Sequence, residues 1–132
     1  MILPLLYIAH TDTMGRGVFT SGDLPSGTLL EVSPVLVLSG EERQLLDQTL
    51  LHDYIFEWGE DRGQCCVALG YVSLYNHAYQ ANCEYQMDFD QQTISVRTVR
   101  AVQAGEELFL NYNGDWNDPR PVWFDPAYLG GA

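Results

Sequence analysis

Eight residues near the middle of the chain, Asn76-His77-Ala78-Tyr79-Gln80-Ala81-Asn82-Cys83, constrain its fold most. They put two asparagine amides and an imidazole into an apolar neighbourhood. Before them runs Val67-Ala68-Leu69-Gly70-Tyr71-Val72-Ser73-Leu74-Tyr75, and after them strand-like runs lead to Glu107-Leu108-Phe109-Leu110-Asn111-Tyr112-Asn113. Amide and imidazole groups in such surroundings cost free energy unless they are hydrogen-bonded. The octapeptide therefore either ties the fold together internally or holds a ligand.

The flanking sequence reads as many short strands. Leu5 to Ala9 and Val18 to Thr20 frame a turn containing Gly15-Arg16-Gly17, where backbone can approach a ligand closely. Leu29 to Leu38 reads as a strand pair interrupted at Ser33-Pro34, because proline has no N–H for a ladder. Ser39 to His52 reads as the one helix: Ser39 or Gly40 precedes Glu41-Glu42 at its start, and Leu45, Leu46, Leu50 and Leu51 follow helical spacing. Tyr54 to Trp58 and Cys65 to Leu69 are strands around a polar turn, and Gly70 to Tyr75 is a short helix or turn. Glu84 to Phe89 and Thr93 to Val99 alternate around Asp90-Gln91-Gln92 as a hairpin, and Leu108 to Tyr112 closes the series. The result is a mostly β fold with one short helical insert.

Composition narrows the partners. At 132 residues and 46% hydrophobic content, one packed domain is expected over 1–132, ending in an aromatic tail at 117–132. No apolar run reaches the ~20 residues of a membrane helix. Met1 to Ile8 lacks the basic start and cleavage site of a signal peptide. Cys65 and Cys66 are adjacent and Cys83 is alone, a pattern of neither disulfides nor zinc ligands, so no metal is expected. A reducing cytoplasmic compartment fits, or a nuclear one for a viral or eukaryotic source. Eighteen acidic residues face six arginines and no lysine, for a net charge of −12. That balance disfavours nucleic acid and anionic membranes and suits a basic partner.

Three motifs stand in order: Gly15-Arg16-Gly17-Val18-Phe19, then Asn76-His77 with Asn82-Cys83, then Gly105-Glu106-Glu107-Leu108 running to Tyr112. Together they resemble the SET-domain family of protein lysine methyltransferases, over roughly Ala9 to Trp116. The length resembles minimal bacterial and viral members without zinc-binding flanks. The resemblance implies a β-clip of short sheets, with a knot-like crossing of the Asn-His segment and the chain before the final tyrosine. It implies S-adenosyl-L-methionine as cofactor on one face and a lysine channel from the other. Residue by residue, it matches Met14, Gly15, Arg16 and Gly17 to the glycine loop along the methionine moiety. It matches Asn76 and His77 to the cofactor-binding pair, Asn76 accepting from the ammonium and His77 contacting adenine largely through backbone. Trp116, Trp123 or Phe124 would roof the cofactor. Tyr112 matches the catalytic tyrosine, and Tyr85, Tyr71, Tyr75 and Leu110 the channel. The sequence departs from the family pattern at Ala78, usually Ser, at Ala81, usually Pro, and at Asn111, often Asp.

The implied chemistry is an in-line methyl transfer to a neutral amine. Free lysine has a pKa of about 10.4, so a desolvating aromatic channel would help to deprotonate it. Solvent would take the proton, and His77 is not assigned as a base. Asp53, Glu57, Glu60 and Asp61 would steer a basic, histone-like or ribosomal protein segment to the site. Two other readings compete. One is a non-catalytic SET-like interaction module that retains cofactor binding; the other is a homodimer built on the tail aromatics.

Overall fold

The computed structural model describes residues 1–60 and 62–122. Among these residues nine strands form two sheets. β1 (Leu6–His10), β2 (Arg16–Thr20), β9 (Glu107–Leu110) and β6 (Asn76–His77) make a four-stranded sheet in the order β1-β2-β9-β6. β4 (Phe56–Trp58), β5 (Gln64–Ala68), β3 (Leu29–Leu38), β8 (Thr93–Thr98) and β7 (Cys83–Asp88) make a five-stranded sheet in the order β4-β5-β3-β8-β7. Every pairing is antiparallel except β6 with β9, which runs parallel with Asn76 opposite Phe109 and His77 opposite Leu110. The mostly β fold expected from short alternating runs is the observed one.

The expected break at Ser33-Pro34 is absent, and β3 is one strand. Pro34, opposite Thr93, is the last residue of β3 paired with β8, and Val35, opposite Ala68, is the first paired with β5. The missing N–H falls at this handover, while the Pro34 carbonyl accepts from Leu69 N. The helix is also shorter than its leucine spacing suggested. α1 spans Gly40–Leu46, and a separate 3-10 turn spans Leu50–Asp53. Ser39 caps α1 through a reciprocal pair with Glu42, and the Thr49 hydroxyl donates to Leu46 O and accepts from Leu51 N, ending one element and starting the next. Leu45 and Leu50 are 67% and 77% exposed, so their spacing marks no buried face.

One apolar cluster takes residues from both sheets, among them Val18 and Leu108 from the first and Leu30, Ile94 and Val96 from the second. The five-stranded sheet curls. Its two edge strands, β4 and β7, come face to face, with Phe56 and Tyr85 ring centroids 5.6 Å apart and Trp58 and Phe89 4.8 Å apart. This curl opens a cleft along the seam. The three cysteines are free thiols and all are buried. No helix among the described residues is long and apolar enough to cross a membrane.

Candidate active site

The glycine loop is closed by Thr11, whose hydroxyl donates to Gly15 O and accepts from Met14 N. Gly15 sits at φ +68°, where a side chain would be strained. Gly17 is required by space: a Cβ there would lie 2.5 Å from Glu107 Oε2 and 2.8 Å from Asn76 Nδ2. Those two atoms are bonded to each other at 2.8 Å, and Asn76 Nδ2 also donates to Arg16 O. The loop, β6 and β9 are thus joined through one amide. Met14, Gly15, Arg16, Asn76 and His77 together line a cavity of about 310 Å³, with Asp53, Tyr54, Ser73, Leu74 and Tyr112 completing it.

Tyr112 lies two residues past the end of β9. Its hydroxyl donates to Tyr75 O at 2.7 Å, and its N–H donates to His77 Nδ1 at 3.0 Å. His77 Nδ1 is therefore an acceptor, which puts the proton of the neutral ring on Nε2. The ring stands edge-on to Tyr79, with centroids 4.4 Å apart. Burial pushes the Tyr112 phenol up to about 12, with smaller contributions from Tyr54 and Glu107. It is a neutral donor at physiological pH.

A second, larger cleft of about 670 Å³ lies along the β4–β7 seam. Tyr54, Phe56, Tyr85, Met87 and Phe89 give it apolar walls, and Asp47, Asp53 and Glu57 with Arg43 and Arg62 give it charge. Burial raises the pKa of the Tyr85 phenol. The two cavities share Asp53, Tyr54, Ser73 and Tyr112. Ser73 Oγ donates to Tyr54 O, which pins the 3-10 turn Val72–Leu74 to the segment before β4 at this junction.

The second half of the octapeptide does tie the fold together. Asn82 Nδ2 donates to Glu107 O, and Asn82 Oδ1 accepts from Phe109 N, so one buried amide replaces a strand partner for β9. Asn111, only 1% exposed, donates to the carbonyls of Tyr79 and Asp118 and accepts from Asn113 N. Ala81 N donates to Trp116 O, a bond that proline cannot make. Segments 76–82 and 107–118 are thereby laced side by side, and the residues that depart from the family pattern contribute to the lacing.

Several expected channel residues lie elsewhere. Tyr75 and Leu110 are fully buried and line neither cleft, and Tyr71 packs against the core. Leu110 is carried inward by the alternation of β9, in which Leu108 and Leu110 are the buried positions. The Tyr75 phenol points at Glu31; burial first, then the Glu31 carboxylate, drives its pKa well above the usual tyrosine value. Trp116 lines neither cleft; its carbonyl accepts from Ala81 N. Trp123 and Phe124, the other expected roof residues, and Asp61 lie outside the described residues. Tyr54, Ser73 and Glu107 were missed. Tyr54 and Ser73 carry no motif, while Glu107 stood inside Gly105-Glu106-Glu107-Leu108, between a turn and a strand, with no role of its own. Among the described residues no group of three or more His, Cys, Asp or Glu is arranged to hold a metal ion.

The fold and site define a mostly β domain in which two cavities meet beside Tyr112. The particular family follows from sequence: the SET domain model matches residues 15–113, and the chain belongs to the SET-domain family. It is 37% identical over 121 residues, 91% of this chain and 77% of the relative, to a Schizosaccharomyces pombe protein named "Histone-lysine N-methyltransferase, H3 lysine-37 specific". A crystal structure of a Plasmodium falciparum protein, described as a candidate histone methyltransferase, superposes with a TM-score of 0.66 at 25% identity, covering 87% of this chain and 98% of that one. A humanized mutant of the Chaetomium thermophilum Polycomb Repressive Complex 2, bound to an inhibitor, superposes at 0.67 with 21% identity. It covers 88% of this chain and 15% of that one, and shows likeness of fold alone.

Proposed function

We propose that this protein is an S-adenosylmethionine-dependent protein-lysine N-methyltransferase, a single domain acting on a lysine in a basic, histone-like protein. The observation that carries the reading is the convergence of two cavities on Tyr112, one lined by the glycine loop and Asn76-His77 and the other by aromatic side chains. The smaller cavity suits the cofactor: the bare Gly17 lets the Glu107 carboxylate reach Asn76, and Asn76, with its N–H groups spent on Arg16 and Glu107, has Oδ1 to accept from an ammonium. Bound there, S-adenosylmethionine supplies an electrophilic methyl group on a sulfonium. Met14, Gly15, Arg16, Gly17, Asn76 and His77 are the residues that would hold it.

Tyr112 is the proposed catalytic residue. Its hydroxyl donates to Tyr75 O, which fixes the direction of the phenol oxygen that would orient an entering amine. Tyr54, Phe56 and Tyr85 strip water from that amine and disfavour its charged form, easing loss of the proton to solvent. Holding the reacting groups in line can contribute ~7–11 kcal/mol. His77 holds the Tyr112 backbone and has no part in proton transfer.

The acids Asp47, Asp53 and Glu57 in the larger cleft, and the net charge of −12, suit a basic peptide. The edge strands β4 and β7 offer unpaired backbone to an extended one. The name of the yeast relative, which specifies histone H3, supports a histone or histone-like substrate. Three reduced, buried thiols suit a cytoplasmic or nuclear setting.

The test is calorimetric titration of S-adenosylmethionine into wild type, Asn76→Ala and Tyr112→Phe, followed by labelled-methyl transfer to core histones. Binding should be lost in Asn76→Ala and kept in Tyr112→Phe, with transfer by the latter reduced roughly 10²-fold or more. Folded wild type that does not bind the cofactor would overturn the reading. Binding with no transfer to histones or other basic proteins would favour the non-catalytic interaction module.

A further inference from the structure

Glu107 carries a negative charge directly behind the wall of the smaller cavity, against the wall residue Asn76, where no motif assigned it a role. Its carboxylate accepts from Asn76 Nδ2 at 2.8 Å. Its backbone carbonyl accepts from Asn82 Nδ2 at 2.8 Å, and it pairs with Phe19 across the β2–β9 ladder. The backbone of Gly17 closes over the carboxylate so tightly that a Cβ would collide with it. Glu107 is thus fixed at main chain and side chain, and only half-buried. Its charge reaches Tyr112, whose phenol it helps to hold protonated.

Two consequences follow from elementary chemistry. A carboxylate can only accept, so it forces the Asn76 amide to turn its N–H groups inward and its Oδ1 outward. A glutamine in its place would tolerate either orientation. The second consequence concerns charge. S-adenosylmethionine carries a sulfonium, an ammonium and a carboxylate, for a net charge of +1. After methyl transfer the sulfonium becomes a thioether, and S-adenosylhomocysteine is neutral overall. A fixed anion one side chain behind the cavity wall interacts differently with the two.

We infer that Glu107 is a positioning residue of the cofactor cavity: it locks the Asn76 amide with Oδ1 presented to the ligand, and it makes the cavity prefer the cationic methyl donor to its neutral product. This rests on the reading of the smaller cavity as the cofactor site. A preference of this kind favours product release after each transfer, since the charge that helped hold the donor is gone.

The experiment is calorimetric titration of both S-adenosylmethionine and S-adenosylhomocysteine into full-length wild type, Glu107→Gln and Glu107→Asp, with thermal melts of each. Wild type should bind the sulfonium more tightly. Glu107→Gln should weaken sulfonium binding roughly tenfold, the scale of one charge-assisted contact, and thioether binding far less. Glu107→Asp, which keeps the charge and shortens the reach, should recover the preference. Affinities that fall in parallel in Glu107→Gln, or do not fall, overturn the inference, because a merely structural role moves both ligands together. If Glu107→Gln does not fold, the wild-type preference is titrated with salt. A ratio that declines towards unity supports the charge, and a salt-independent ratio overturns it. Wild type that binds both ligands equally overturns this inference alone; wild type that binds neither overturns the cofactor site itself.

Discussion

Replacing Asn111 by aspartate tests the lacing between the octapeptide and the C-terminal segment with no change in side-chain shape. Asn111 is 1% exposed, and its Nδ2 donates to Tyr79 O at 3.2 Å and Asp118 O at 2.7 Å. In Asn111→Asp an acceptor oxygen would face those two carbonyl oxygens. The bond from Asn113 N to the other oxygen would survive. A buried polar group left unpaired costs about 1–3 kcal/mol, and here two carbonyls lose the Asn111 donor, Asp118 O keeping only the long contact from Asn113 Nδ2 at 3.4 Å. A net loss of about 3 kcal/mol at neutral pH is expected, a large share of the ~5–15 kcal/mol that folds a domain. With a urea m-value of about 1.5 kcal/mol/M, the unfolding midpoint should fall by roughly 2 M. Tryptophan fluorescence during urea titration is the assay. The deficit should narrow in acid: the substituted carboxyl, buried without a cation, takes up a proton more readily folded than unfolded, and its O–H restores one donor. A midpoint shift below about 0.3 M at pH 7 would refute the reasoning, since the carbonyls would then have found other donors at no cost.

Gly70→Ala would put a Cβ onto Ser33 Oγ and 2.6 Å from Glu31 Oε2, atoms locked in their own buried hydrogen bond; a loss of about 1–3 kcal/mol by chemical denaturation is expected. Ser39→Ala removes the capping box of α1, which buries no residue. The loss of about 1 kcal/mol should appear as faster amide exchange in 40–46 with the melting temperature almost unchanged. Burial pushes the Cys66 and Cys83 thiols from 9.0 to about 12 and the Tyr112 phenol from 10.0 to about 12. With folded pKa values raised, this stability is complete below about pH 9 and is lost as pH rises to about 12, because the unfolded chain releases its protons first. Melting temperature should therefore fall steeply between pH 9 and 12, and a flat profile there would show that these groups are more solvated than their burial indicates.

What the sequence determined by itself was local chemistry and order. Alternating apolar runs announced most strands, because a half-buried strand must alternate. Ser39 with Glu42 announced a helix start, because free N–H groups need acceptors. Asn76, His77, Gly17 and Tyr112 were legible because polar or side-chain-free positions in apolar runs need a reason, and their order matched a family. Spacing could not reveal what depends on the path of distant segments. Pro34 looked like a break until two different partner strands met at it. Leu45 and Leu50 looked like a buried stripe, but among the described residues no element buries them. Tyr71, Tyr75 and Leu110 looked like channel walls, yet the direction of a side chain is set by the strand or turn beneath it, and these point into the core. Tyr54 and Ser73 reached the junction of the cavities only through the fold. Glu107 acquired its role only because β2, β6 and β9 converge there, placing its carboxylate, the Asn76 amide and the bare Gly17 backbone within contact of one another.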